Sequence, residues 1–217
     1  MTATTRRPGP RSDVDVRLAL VVAAERLFGS ASVDGVSMRA VARAAGVAPA
    51  ALTHYFPNKS ALVYAVVQRR AEPVGRAVSE RLIALADPER DPGVTDLVEA
   101  VLIPFVELLD AEPVAGLAWM KLFTSLALAD DPIWARGVAG REHSVTELYT
   151  QALDRVLPHL DGTDRFQRVD IAMFSMLSVL ACADLAGYRR PLTEDGLDPQ
   201  FVRQLVIFTS AGLAAPN

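Results

Sequence analysis

The residues whose types and spacing could do chemistry gather in one stretch, Ser37 to Lys59, which holds Ser37, Arg39, Arg43, Thr53, His54, Tyr55 and Lys59. Their chemistry is that of gripping a polyanion. Lysine and arginine neutralise phosphates, and hydroxyls and helix N-termini orient them. Bond-breaking chemistry is not suggested. His54, His143 and His159 are far apart in the chain, and no nucleophile–base pair stands out. Cys182 is the one cysteine, so an intrachain disulfide is impossible and no cysteine cluster exists to bind a metal. The expectation is a protein that is not an enzyme and holds no cofactor and no metal.

These residues need elements to position them, and the same stretch supplies two. Ser37 suits a helix N-cap, where its hydroxyl accepts from an orphan backbone N–H. Val41, Ala44 and Ala45 repeat at helical spacing and are expected inside. Gly46 ends that helix, because glycine enters the left-handed conformation without a Cβ clash. Pro49 suits the first turn of a second helix. That helix offers Leu52 and Phe56 inward and Ala51, Thr53, His54 and Tyr55 outward. Two short helices across a glycine-containing turn form a helix-turn-helix over residues 37–56, whose second helix fits a DNA major groove. A preceding helix from Ser12 or Asp13 carries Leu20, Ala24, Leu27 and Phe28 on one stripe. Phe28, Val41, Leu52 and Phe56 make a small core that must lean on its neighbours.

Composition bounds the rest. The 217 residues are 51% hydrophobic, enough for a sizeable core. Residues 1–60 hold eight basic and four acidic residues, whereas the remainder holds 14 basic and 22 acidic. A basic head on an acidic body fits a DNA-binding module joined to something that avoids phosphate. No apolar run is long enough to span a bilayer, and no signal peptide is evident, so a cytoplasmic protein without membrane contact is expected. Residues 1–12 read as a flexible basic arm, 13–58 as the helix-turn-helix domain and 59–217 as a larger helical domain. Expected body helices run from Asn58 to about Ala86 with a kink at Pro73, Val94–Leu109, Pro113–Ala129, Pro132–Leu157, Asp164–Tyr188 and Asp198–Ala214. No hairpin signal is read, so the fold class is all-α.

The run from Gly46 to Leu62, with Ala23-Ala-Glu-Arg-Leu-Phe28 and Val36-Ser-Met-Arg-Ala-Val-Ala42 before it, resembles the tetracycline-repressor (TetR) family of bacterial transcriptional regulators. The match covers residues 16–65. The resemblance implies that Ser37 and Arg39 contact phosphates or a base. It places Ala48, Pro49, Ala51 and Thr53 at the major groove, His54 and Tyr55 at base edges or phosphates, and Lys59 at a phosphate. Thr53 stands where the family most often has tyrosine. The reading face also lacks Asn, Gln and Arg, which moves readout toward apolar contact, DNA shape and Arg39 or Arg43.

The resemblance further implies a body that dimerises and binds a small effector. The most apolar helices, about 164–188 and 198–214, are the expected homodimer interface, and a two-fold dimer predicts a palindromic double-stranded operator. Candidate effector-pocket residues are Phe105, Trp119, Met120, Phe123, Trp134, Tyr149 and Met173, with Arg141, Glu142 and His143 as polar anchors. This mix fits a mostly apolar ligand. The expected function is a repressor released by such a ligand. The alternatives are a transcriptional activator of the same fold and a helical small-molecule or lipid-binding protein without a DNA role.

Overall fold

The computed structural model describes residues 13–133, 145–158, 160 and 162–216. The arm, Trp134, Arg141, Glu142 and His143 therefore lie outside the described residues. Nine α-helices occur among those described: α1 (Asp13–Ser30), α2 (Met38–Ala45), α3 (Pro49–Tyr55), α4 (Lys59–Leu85), α5 (Val94–Ala111), α6 (Pro113–Leu128), α7 (Val145–Val156), α8 (Gly162–Ala181) and α9 (Pro199–Ala214).

Local chemistry sets the boundaries of the first helices. Ser37 Oγ accepts from the Ala40 N–H at 3.1 Å, and Gly46 closes α2 at φ 67°. Pro49 opens α3, and the Phe56 N–H donates to the Leu52 carbonyl at its end. Asn58 caps α4 by accepting from Ala61. Phe28, Val41, Leu52 and Phe56 are buried together, as expected. Ala44 is exposed instead, and Ala42 takes the inner place beside Val41. The Arg17 guanidinium lies 5.3 Å from the centre of the Phe56 ring and covers its outer side.

The three-helix head leans on the body through α1. Glu25 is buried and accepts from Arg69 at 2.9 Å and from Arg70 at 3.0 and 2.9 Å. Arg70 also donates to Glu112 at 2.7 Å, where α5 meets α6. Burial disfavours the Arg70 charge, but its hydrogen bonds to Glu25 and Glu112 outweigh this and hold the guanidinium above its ordinary value. The same bond from Arg70 holds the Glu112 carboxyl below its ordinary value. Beside this cluster α1 touches α6 so closely that a Cβ on Gly29 would sit 2.3 Å from the Ala118 Cβ.

The helix α4 runs unbroken through Pro73, with Leu62, Val66, Val74, Val78, Leu82 and Leu85 buried along its length. Its C-terminal end is gripped by Arg155 of α7, which donates to the carbonyls of Leu85, Asp87 and Arg90. One helix expectation needs correction. The helix expected over 164–188 ends at Ala181. The chain then turns, with Asp184 drawn 2.6 Å from Lys121, and passes through a short 3-10 turn at Ala186–Tyr188. Next comes a two-stranded antiparallel hairpin, β1 (Leu192–Thr193) and β2 (Gly196–Leu197), which the sequence reading missed. Its pairs are so few that no alternation could signal them. The hairpin is clasped to α5 by Asp110, which accepts from the Leu197 N–H at 2.8 Å. Asp198 then caps α9. On α9, Leu205 and Leu213 are buried, whereas Phe208 faces out, 76% exposed. No described helix is long and apolar enough to cross a membrane, and the described residues hold no cluster able to bind a metal ion.

Candidate functional site

Two sites can be built, one on the head and one in the body. On the head, α3 turns Leu52 and Phe56 inward and leaves Pro49, Ala50, Thr53 and His54 exposed. This differs from the expected outer face. Ala51 and Tyr55 are half-buried, because they flank the Leu52–Phe56 stripe, and Ala50 replaces Ala51 outside. Tyr55 packs against the core and meets the edge of the His54 ring, 5.1 Å between centres. Thr53 donates its hydroxyl to the Pro49 carbonyl at 3.3 Å, which leaves its methyl and both oxygen lone pairs for a partner. Ala48 precedes α3 and is exposed.

The cationic and hydroxyl groups sit on the neighbouring elements. Ser37 and Arg39 are exposed at the start of α2, and Arg43 is exposed near its end. Ser37 spends one lone pair on its cap and keeps its O–H to donate. Lys59, half-buried, donates from Nζ to the Asp34 carbonyl at 3.3 Å, tying the start of α4 to the loop before α2. An ammonium has three donors, so a phosphate can still be met. Chemically, the surface offers a short apolar ridge flanked by N–H and O–H donors and positive charge.

In the body a cavity of about 280 Å³ opens between α4, α5, α6 and α8. Val74, Gly75 and Val78 of α4 form one wall and Val101 and Phe105 of α5 another. Trp119 and Phe123 of α6, Val145 at the start of α7, and Asp170, Met173, Phe174 and Leu177 of α8 line the rest of its described wall. Trp119 and Phe123 stack with ring centres 4.5 Å apart, and Phe105 lies 6.5 Å from Trp119. The Trp119 indole N–H donates to the Val67 carbonyl of α4 at 3.1 Å. Apart from Asp170 the described walls are apolar, as in many small-ligand pockets, and the volume is near the small end of that class.

The sequence reading placed Phe105, Trp119, Phe123 and Met173 here, and all four line the cavity. Met120 does not. It is fully buried one residue round the helix from Trp119, a turn of about 100° that points it elsewhere. Tyr149 does not line it either. Its ring is buried on α7, and that burial pushes the phenol up to about 12, so it is neutral. Asp170, Phe174 and the α4 residues were missed. Asp170, Met173, Phe174 and Leu177 fall at i, i+3, i+4 and i+7, so a carboxylate on an otherwise apolar stripe was the available signal.

Comparison with known proteins adds an independent line. Residues 20–66 match the family model described as bacterial regulatory proteins, tetR family. Residues 99–212 match the model of the tetracyclin repressor-like C-terminal domain. No curated protein matches the chain in sequence. Several solved structures share the fold. The fatty acid degradation regulator FadR from Bacillus halodurans superposes with TM-score 0.62 at 17% identity, covering 97% of this chain and 100% of its own. A TetR-like transcriptional regulator from Rhodococcus sp. RHA1 gives 0.60 at 21%, covering 96% and 100%. SmeT, the repressor of the Stenotrophomonas maltophilia multidrug efflux pump SmeDEF, gives 0.59 at 19%, covering 91% of each chain.

Proposed function

Because this chain belongs to the TetR family of bacterial regulatory proteins, we propose that it is a ligand-responsive repressor that binds a palindromic operator as a homodimer. Residues 13–58 form the DNA-binding head and 59–217 the effector-binding and dimerising body. In the head, the exposed side of α3 enters the major groove, with Ala48, Pro49, Thr53 and His54 against base edges. Ser37, Arg39, Tyr55 and Lys59 hold the flanking phosphates, and the half-buried Ala51 marks the rim of the contact.

The observation that carries this reading is the double role of α4. Its middle walls the cavity through Val74, Gly75 and Val78, and four or five residues earlier Arg69 and Arg70 clasp Glu25 of the head. A ligand that moves that wall moves the anchor of α1. DNA favours one spacing of the two heads and the effector another. A coupling of about 1–3 kcal/mol weakens operator binding roughly 5–150-fold.

The dimer reading is supported by unpartnered apolar side chains on the last two helices. Phe166 and Ile171 of α8 are each 66% exposed, and Ile207 and Phe208 of α9 face solvent as well. A two-fold pairing of these faces sets the two reading helices about 34–36 Å apart, one DNA turn.

Selection of bound duplexes from a random pool tests the function. Enrichment of a palindrome, with affinity that falls steeply as salt rises, is the expected result. A pool with no enriched sequence removes the regulator reading.

A further inference from the structure

We propose that the body cavity selects a lipophilic cation, a small aromatic or alkyl ligand bearing a protonated amine, and that Asp170 makes the selection. The inference rests on the reading of this cavity as the effector site and goes further by naming the ligand class. Asp170 is the one charged side chain among the described lining residues. It stands at the exposed end of the stripe that continues inward through Met173, Phe174 and Leu177.

Three features favour a positive ligand over a neutral or negative one. First, no described residue pairs with Asp170. The arginines on the preceding turns of α8 are drawn elsewhere: Arg165 holds Asp154 and the Leu160 carbonyl, and Arg168 holds the carbonyls of Ala215 and Pro216. Second, the described walls give an anion no side-chain donor. The one N–H among them, the Trp119 indole, is committed to Val67. Third, what remains of Trp119, with Phe105 and Phe123, is an apolar bed for the body of a ligand, where a carboxylate would lose its hydration with no donor to replace it among the described residues. A ligand with its apolar end on these rings and its ammonium toward Asp170 gives the carboxylate a partner and keeps the apolar walls in apolar contact.

The test uses the full chain and three probes of one shape: 4-phenylbutylamine, 4-phenylbutan-1-ol and 4-phenylbutanoate, each titrated by calorimetry. The amine is expected to bind about two- to fivefold more tightly than the alcohol, the size of an exposed ion pair. The carboxylate is expected to bind weakest. D170N should bring amine and alcohol together with alcohol affinity unchanged, and D170E should keep the amine preference. Asp170 is exposed and bonded to no described residue, so both variants should melt with the parent protein. Equal binding of the three probes, or a preference that survives D170N, overturns the proposal and leaves the effector-site reading standing. Failure of all three to bind overturns both. Failure of duplex selection overturns only the regulator reading.

Discussion

The head and the body solve opposite packing problems. The head fills a small core completely with Phe28, Val41, Leu52 and Phe56 and keeps its working groups outside. The body has a large core and leaves a cavity in it. A surface that reads DNA needs rigid backing and little else. A site that senses a ligand needs empty volume, and so forgoes contacts a filled core would have made. Between them lies a buried cluster of charge. Replacing it by apolar packing would cost little in stability, whereas breaking it would cost much.

That contrast can be broken most severely at the seam. Glu25→Ala leaves the Arg70 guanidinium buried with Glu112 as its remaining partner. It is expected to lower unfolding free energy by about 3 kcal/mol, measured by urea denaturation, with the head losing order first. Gly29→Val is next. Its side chain would meet Ala118 and force α1 off α6, at about 1–3 kcal/mol. Ala118→Gly should restore part of that loss in a double-mutant cycle, and equal costs with and without it would deny the contact. Ser37→Ala removes the α2 cap for about 1 kcal/mol. Because the same hydroxyl is assigned to a phosphate, its operator affinity should fall by more than its stability accounts for.

The smallest effect concerns acid. The hydrogen bond from Arg70 holds the Glu112 carboxyl below its ordinary value in the folded protein. The stabilisation from this group is therefore complete above its unfolded value and lost as pH falls through the lowered folded one. Glu112→Gln should flatten that part of the acid limb in urea midpoints taken from about pH 6 to about pH 3, lying slightly below the parent protein at neutral pH, because the half-exposed ion pair is worth little, and meeting it at the acid end.

The two regions also differed in how much their sequence disclosed. The head is local: Ser37, Gly46, Pro49, Leu52 and Phe56 are punctuation and stripe within 20 residues, and each does in the structure what its type suggests. The cavity draws on residues from Ala71 to Leu177. Helical periodicity marks which side of α5 or α6 is buried, but not whether an atom or a void lies opposite. This is why Met120 and Trp119 looked alike. The Glu25–Arg70 bond spans 45 positions and joins two residue types usually found on surfaces. Arg70 did fall on the apolar stripe of α4 between Val66 and Val74, which is the mark of a buried charge. The stop at Ala181 was invisible because Cys182, Ala183 and Leu185 continue the apolar run. The turn is made instead by tertiary contacts such as Lys121 with Asp184.

The clasp between Asp110 and Leu197 also bears on the outer face of the last helix. Its partners stand 87 positions apart, so closing it costs the entropy of a long loop, which the packing of α9 on α5 and α8 offsets. The direction in which Ile207 and Phe208 face is thus set by contacts far from them in sequence.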